Sequence, residues 1–180
     1  MAQEMSFPSA GHHLSDPGAV ANGYTEFDIM NRFRNKLILY LSKKGHKYIT
    51  DENSETNTQY QSRIKPIKGD VIIDMHLNAG GPTATGCEVF ISNTAGMESK
   101  TLAKELVDQL SKSMGITNRG VKTESQSARG KIGVLNKAGT AVLIEFCFIT
   151  NMTDLKAFFS NEDCLVEIVG NLLIKYDKNK

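Results

Sequence analysis

Alternating strand-like and helix-like segments in this chain predict a single α/β domain, a mostly parallel twisted sheet with helices on both faces. Three observations carry that expectation. Residues 71–73 are continuously apolar, as in a strand covered on both sides. Residues 141–149 form the most apolar strand candidate in the chain. Elsewhere apolar residues recur at spacings of three and four, the pattern of helices laid on a sheet. A length of 180 residues suits one domain and allows a core without disulfide staples.

The elements follow in order. EMSFPS is a first strand, and its Pro8 suits an edge or irregular position. A helix starts near Thr25, with Phe27, Met30, Phe33, Leu37 and Leu41 along one face. Thr25 and Asp28 make a T-x-x-D start, and Gly45 stops the helix. HKYIT is a short strand, and the polar stretch DENSETNTQ is a loop entering a short helix around Tyr60. In a strand over residues 70–77, Val71, Ile73, Met75 and Leu77 point one way, and Ile72, Asp74 and His76 the other. Asn78, Ala79, Gly80 and Gly81 end it with a turn, and CEVFIS is the next strand. Leu102, Leu106, Val107, Leu110 and Met114 mark a helix that stops at Gly115. After the strand over residues 141–149, a last helix runs from about Asn161, with Leu165, Ile168, Val169, Leu172, Leu173 and Tyr176 inward.

Composition narrows the function classes. The hydrophobic fraction is 40%, the charged fraction 23% and the net charge +1, so no nucleic-acid or anionic-membrane surface is expected. Trp is absent, which weighs against a Trp-lined carbohydrate module. Cys87, Cys147 and Cys164 are odd in number and lack C-x-x-C spacing; they are expected as small buried apolar residues in a reduced compartment. The N-terminus lacks a basic segment followed by an apolar run, and no stretch approaches the roughly 20 apolar residues of a membrane span. The expectation is a monomer made in the cytoplasm without a signal peptide, with no membrane insertion.

Active sites of open α/β sheets collect at the carboxyl ends of the strands. Four groups fall there. His12 follows the N-terminal strand, Glu26 sits in the first turn of the first helix, His76 is near the end of its strand, and Glu145 lies inside AVLIEFCFI. Catalytic zinc takes three His or carboxylate ligands, two His and one Glu being one attested set, and leaves a position for water. A further carboxylate then takes the water's proton and passes one to the leaving nitrogen of an amide. Each group also has an ordinary reading. Glu26 suits a helix dipole, His76 a satisfied core histidine, and His13 is an alternative ligand to His12. His46 reads as a surface residue. Glu145 is harder to set aside, because a carboxylate between Ile144 and Phe146 in a buried strand needs a partner. Cys147, two residues on, is expected on the same face in a packing role.

Four stretches together resemble the zinc-dependent N-acetylmuramoyl-L-alanine amidases of the Amidase_3 type. AGHHLSDPGA is similar to the first histidine loop, TEFD to the glutamate at a helix start, and DMHLNA to the second histidine motif. RGVK followed by KIGVLNKAGTAVLIEFCFITN resembles the distal block, so the likeness spans residues 11–151. The resemblance implies one zinc ion held by His12, Glu26 and His76, with Glu145 as the catalytic carboxylate. It implies a single domain with a roughly six-stranded sheet; one catalytic domain over residues 1–180, with no separate wall-binding domain, is expected. It also implies peptidoglycan as substrate, cut between N-acetylmuramic acid and L-alanine of the stem peptide. A phage or prophage endolysin, reaching the wall after release or non-classical export, fits that reading. Departures are His13 for the glycine after the ligand, Asp74 for the serine before His76, and Cys147 for the glycine near Glu145. Two alternatives remain: a zinc peptidase acting on stem peptides, or a non-catalytic peptidoglycan-binding or tail subunit.

Overall fold

The computed structural model describes residues 5–178. Glu4, the start of the EMSFPS strand candidate, lies outside them, as do both ends of the 1–180 domain. The chain forms β1 (Ser6–Ser9), β2 (Val20–Ala21), β3 (Tyr24–Thr25), α1 (Glu26–Lys43), α2 (Asn57–Arg63), β4 (Val71–Asn78) and β5 (Cys87–Ile91). There follow α3 (Met97–Met114), β6 (Asn118–Thr123), two 3-10 turns (Glu124–Gln126 and Gly133–Asn136), β7 (Thr140–Phe148) and α4 (Met152–Tyr176). Five strands make the main sheet in the order β1-β4-β7-β5-β6, and β2 and β3 form a separate hairpin. All pairings in the sheet are parallel except β5 with β7. The α/β class with a mostly parallel sheet therefore holds.

Alternation along β4 divides the core into two layers, because successive side chains of a strand point to opposite faces. Val71, Ile73, Met75 and Leu77 join one core cluster with residues of α1, α3 and α4, α1 and α4 lying against β4 and α3 against β5, β6 and β7. Ile72 faces a smaller cluster with Phe7, Tyr60 of α2, and Val134 and Leu135 of the second 3-10 turn. Helical cover is therefore uneven: three long helices on one face, one short helix and the turns on the other. That thin side leaves room for a cavity.

Most sequence-based boundaries hold. Thr25 caps α1, its Oγ1 accepting from the Asp28 backbone N–H. Phe27 is only half-buried, and Ile29 takes its place in the buried face. Pro8 lies in β1, which is an edge strand, where a missing N–H is tolerated.

Four expectations need correction. HKYIT is no strand, one isolated bridge joining Tyr48 to Ser6, and among the described residues the main sheet has five strands rather than about six. β6 went unforeseen because its NRGVKT sequence is polar and half-exposed, without apolar alternation. Helix α4 begins at Met152 rather than near Asn161, and Asn151 caps it by accepting from the Thr153 and Asp154 N–H groups. His46 is buried, its Nε2 lying 2.7 Å from Ser6 Oγ and 3.4 Å from Asp177 Oδ2.

Candidate metal centre and active site

The sheet edge collects the residues expected at the strand ends. β1 and β4 run parallel, so the loop after Ser9 emerges beside the end of β4, which brings His12 near His76. Their rings meet edge to face, with centroids 5.0 Å apart. Between them Glu26, the first residue of α1, is 4% exposed. His12 Nε2 lies 3.1 Å from Glu26 Oε1, and His76 Nδ1 lies 2.9 Å from the same oxygen. The Leu77 backbone N–H donates to Glu26 Oε1, and the Ala19 N–H donates to Oε2. A carboxylate so deeply placed is no mere complement to a helix dipole.

Two glycines make the approach feasible. Gly11 has φ 73, and a Cβ there would stand 2.3 Å from His76 Cε1 and Nε2. Gly18 has φ 65, and its Cβ would stand 2.7 Å from Glu26 Oε2 and His12 Cδ2. Both positions favour glycine by backbone conformation and by space.

Each imidazole is also held from outside. Asp16 Oδ2 lies 3.0 Å from His12 Nδ1, and Asp74 Oδ2 lies 3.1 Å from His76 Nε2. Ser9 Oγ donates to Asp74 Oδ1 at 2.6 Å. Below the His12 loop, Arg34 pairs with Asp51 at 2.9 Å, and the Ala10 N–H donates to Asp51 Oδ1. His13 turns away, bonded to Ser15, so the structure brings His12 rather than His13 to the cluster.

Electrostatics follow from this packing. Burial alone raises the Glu26 carboxyl, but hydrogen bonds from His12 and His76 outweigh it and hold it well below the usual range. Burial depresses His76, yet Asp74 and then Glu26 lift it well above an ordinary histidine. His12 is likewise lifted, mainly by Glu26, against its own burial.

Ligand-type atoms of His12, Glu26 and His76 all lie within 4.8 Å of one another, all three residues being buried. The donor set, two imidazoles and one carboxylate, is one that suits a divalent metal. The residues present therefore fit a single ion.

Glu145 pairs in register with His76 across β4 and β7, and with Glu88 across β7 and β5. It lines a cavity of about 630 Å³ together with His12, Glu26 and His76. Its Oε2 is buried without a hydrogen-bond partner, and no Lys or Arg ion pair to it occurs among the described residues. Burial pushes its carboxyl up to about 8; His76 works against the shift, and Glu26 and Glu88 add to it.

Beyond Glu145 the register slips. His76 pairs with Glu145 but Asn78 with Phe148, so β7 carries one extra residue. Phe146 and Cys147 both enter the helix-side core, and Phe148 joins the cavity. The expectation that Cys147 shares a face with Glu145 is overturned by this bulge. Cys87 and Cys147 are buried as expected, their thiols raised by burial, whereas Cys164 is exposed.

Several site residues escaped sequence reasoning. Glu88 binds Arg119 and Lys122, each at 2.5 Å, and Asn78 donates to its other oxygen. Arg119 and Lys122 belong to the RGVK stretch, whose two basic residues three positions apart were the available signal. The β2–β3 hairpin turns on Asn22 and Gly23, an Asn-Gly pair that marks such turns. Asn22 ties it to the Ile149 carbonyl.

Fold and donor set together define a class, an α/β domain with a candidate metal-hydrolase centre at its strand ends. Residues 9–168 match the Amidase_3 family, N-acetylmuramoyl-L-alanine amidase, and the chain belongs to that family. It is 26% identical over 156 residues to N-acetylmuramoyl-L-alanine amidase LytC of Bacillus subtilis (strain 168), which covers 84% of this chain but 30% of LytC. It is 28% identical over 153 residues to the endolysin of Bacillus phage SPP1, covering 79% of this chain and 54% of the endolysin. Its fold is that of the N-acetylmuramoyl-L-alanine amidase from Clostridium difficile 630, with a TM-score of 0.79 at 23% identity, covering 98% of this chain and 97% of that one.

Proposed function

We propose that this chain is a zinc-dependent peptidoglycan amidase that cuts the bond between N-acetylmuramic acid and the L-alanine of the stem peptide. The observation that carries the reading is the convergence of His12 Nε2 and His76 Nδ1 on Glu26 Oε1, in a cavity that Glu145 also lines. His12, Glu26 and His76 would hold the ion, and Glu145 is the catalytic carboxylate. Bound zinc supplies a Lewis acid that polarises a carbonyl and lowers the pKa of water to about 7.

The remaining chemistry falls to the chain's own side chains. Glu145 accepts the proton of the attacking water and delivers a proton to the amide nitrogen, which leaves badly as an anion. Burial raises that carboxyl, while a bound cation beside it would favour its ionised form, so the group can serve both halves of that task. Arg119, Lys122 and Arg129 line the same cavity, a cationic wall that suits the carboxylates of a stem peptide.

Zinc-loaded protein incubated with peptidoglycan should release stem peptides with new L-alanine amino termini and leave the sugar strands intact. Sugar-chain cuts or cross-link cuts would place the scissile bond elsewhere, the second being the zinc-peptidase outcome. Binding to sacculi with no peptide release would mark a non-catalytic subunit.

The place of action is a further proposal: a monomer, made in the cytoplasm, that works on the wall after release, as a phage or prophage lysin would. The likeness to the SPP1 endolysin supports it. No helix among the described residues is long and apolar enough to cross a membrane. Expression should leave cells intact until their membrane is permeabilised; lysis without permeabilisation would reject it.

A further inference from the structure

Asp74 stands on β4 two residues before His76, on the same face, and is 7% exposed. A carboxylate that deep needs compensation. Among the described residues no Lys or Arg forms an ion pair with it. Its hydrogen-bond partners are Ser9 Oγ, which donates to Oδ1 at 2.6 Å, and His76 Nε2, 3.1 Å from Oδ2. Ser9 belongs to β1, paired with β4 so that Ser9 and Asp74 stand opposite one another. The serine hydroxyl therefore orients the carboxylate, and the carboxylate faces one nitrogen of the ring.

The other nitrogen, Nδ1, points to Glu26 Oε1 at 2.9 Å, into the three-residue cluster. Two constraints thus act on one imidazole. The Gly11 backbone packs against its Cε1–Nε2 edge, leaving no room for a Cβ, which limits the ring's position. Both ring nitrogens face a carboxylate oxygen, so in the metal-free chain both can carry protons. With an ion shared by Nδ1 and Glu26, the one remaining ring proton would sit on Nε2, where Asp74 accepts it, and the lone pair would be at Nδ1.

We propose that Asp74 is a positioning residue for the metal centre: anchored by Ser9, it holds the proton on His76 Nε2 and so presents the Nδ1 lone pair to a divalent ion. The inference rests on the metal-centre reading above and deepens it. A metal-ligating histidine typically gives its outer N–H to a carboxylate, which fixes the tautomer and raises ligand basicity. Asp16 does the same for His12 from the opposite nitrogen, Nδ1, but its side chain is 46% exposed and in competition with water. Asp74, with a side chain 10% exposed, has no such competition. The two histidines therefore present opposite nitrogens, Nε2 of His12 and Nδ1 of His76, and Asp74 is the stronger of the two outer holds.

The test is metal affinity, read by titrating the metal-free chain with Zn2+ against a chromogenic chelator. Asp74→Asn should weaken zinc binding about 10–100-fold, the range for such outer partners. Asp74→Ala should weaken it at least as much, and Asp16→Asn less than either. Long-range 1H–15N spectra of the zinc-loaded wild type supply a measurement independent of variant folding. They should show the His76 proton on Nε2 and the metal on Nδ1. Wild-type affinity in both Asp74 variants, or a His76 proton on Nδ1, would overturn the role of Asp74 while leaving the metal centre standing. A wild type that binds no Zn2+ would overturn both.

Discussion

Glu145 and His76 are register partners on adjacent parallel strands, so their side chains leave the sheet on the same face at the same level. That pairing sets a proposed proton carrier beside a proposed metal ligand without any loop having to bring them together. Strand placement of this kind is rigid, and general acid–base chemistry demands a fixed reach.

Glu145→Gln tests the proton carrier. The amide keeps the shape but neither accepts nor delivers a proton. Peptide release should fall roughly 10²–10⁴-fold, while zinc content by elemental analysis stays at the wild-type level. Undiminished release would remove Glu145 from the mechanism.

The same variant should alter how stability depends on pH in metal-free protein. The Glu145 carboxyl rises from 4.5 to about 8 on folding, so folding favours its protonated form. Its contribution is complete below about 4.5 and is lost as pH climbs through about 8. His76 and His12, both raised, act in the same direction. Glu26, held low, acts in the opposite direction and costs stability only towards acid. Urea unfolding of the metal-free chain should therefore show stability declining across that window, less steeply in Glu145→Gln. Superimposable pH curves for the two proteins would contradict the burial argument.

Gly11→Ala tests the glycine beside the ligand. At φ 73 an alanine is strained, and its Cβ meets the His76 ring. A loss of roughly 1–3 kcal/mol is expected from the backbone alone, with a drop in zinc occupancy because the ring must shift. Thermal unfolding and metal content give the two readouts, and unchanged occupancy would show that the loop relaxes instead.

Arg34→Met tests the support under the His12 loop. The change strands Asp51, a buried carboxylate whose Oδ1 accepts from the Ala10 N–H. Breaking one side of a buried pair costs about 3–5 kcal/mol. The double variant Arg34→Met/Asp51→Leu should recover part of it, since no lone charge remains. Equal losses in single and double variants would show that packing, not charge, dominates.

Much of this architecture is legible along the chain. Alternation in β4 sorts Val71, Ile73, Met75 and Leu77 from Ile72, Asp74 and His76, and the structure keeps that division between its two core layers. Thr25 and Asp28 mark the start of α1, which places Glu26 at a helix entrance. Less legible were elements with weak local signals. β6 has no apolar alternation, and α4 opens with residues that read as a connection until Asn151 is recognised as its cap. The burial of His46 has no local signal, because only the tertiary fold brings Ser6 and Asp177 over it.

The order and kind of chemical groups belonged to the sequence by itself: two imidazoles, a carboxylate at a helix start and a carboxylate in a buried strand, distributed over an α/β pattern. Residue type sets what a side chain can donate or bind, and periodicity sets the element that carries it. Only the tertiary structure decided that Nε2 of His12 and Nδ1 of His76 face one Glu26 oxygen, that Asp74 grips the far side of His76, and that a bulge turns Cys147 away from Glu145. Those facts depend on strand register and loop path between residues distant in the chain, and no local pattern encodes them.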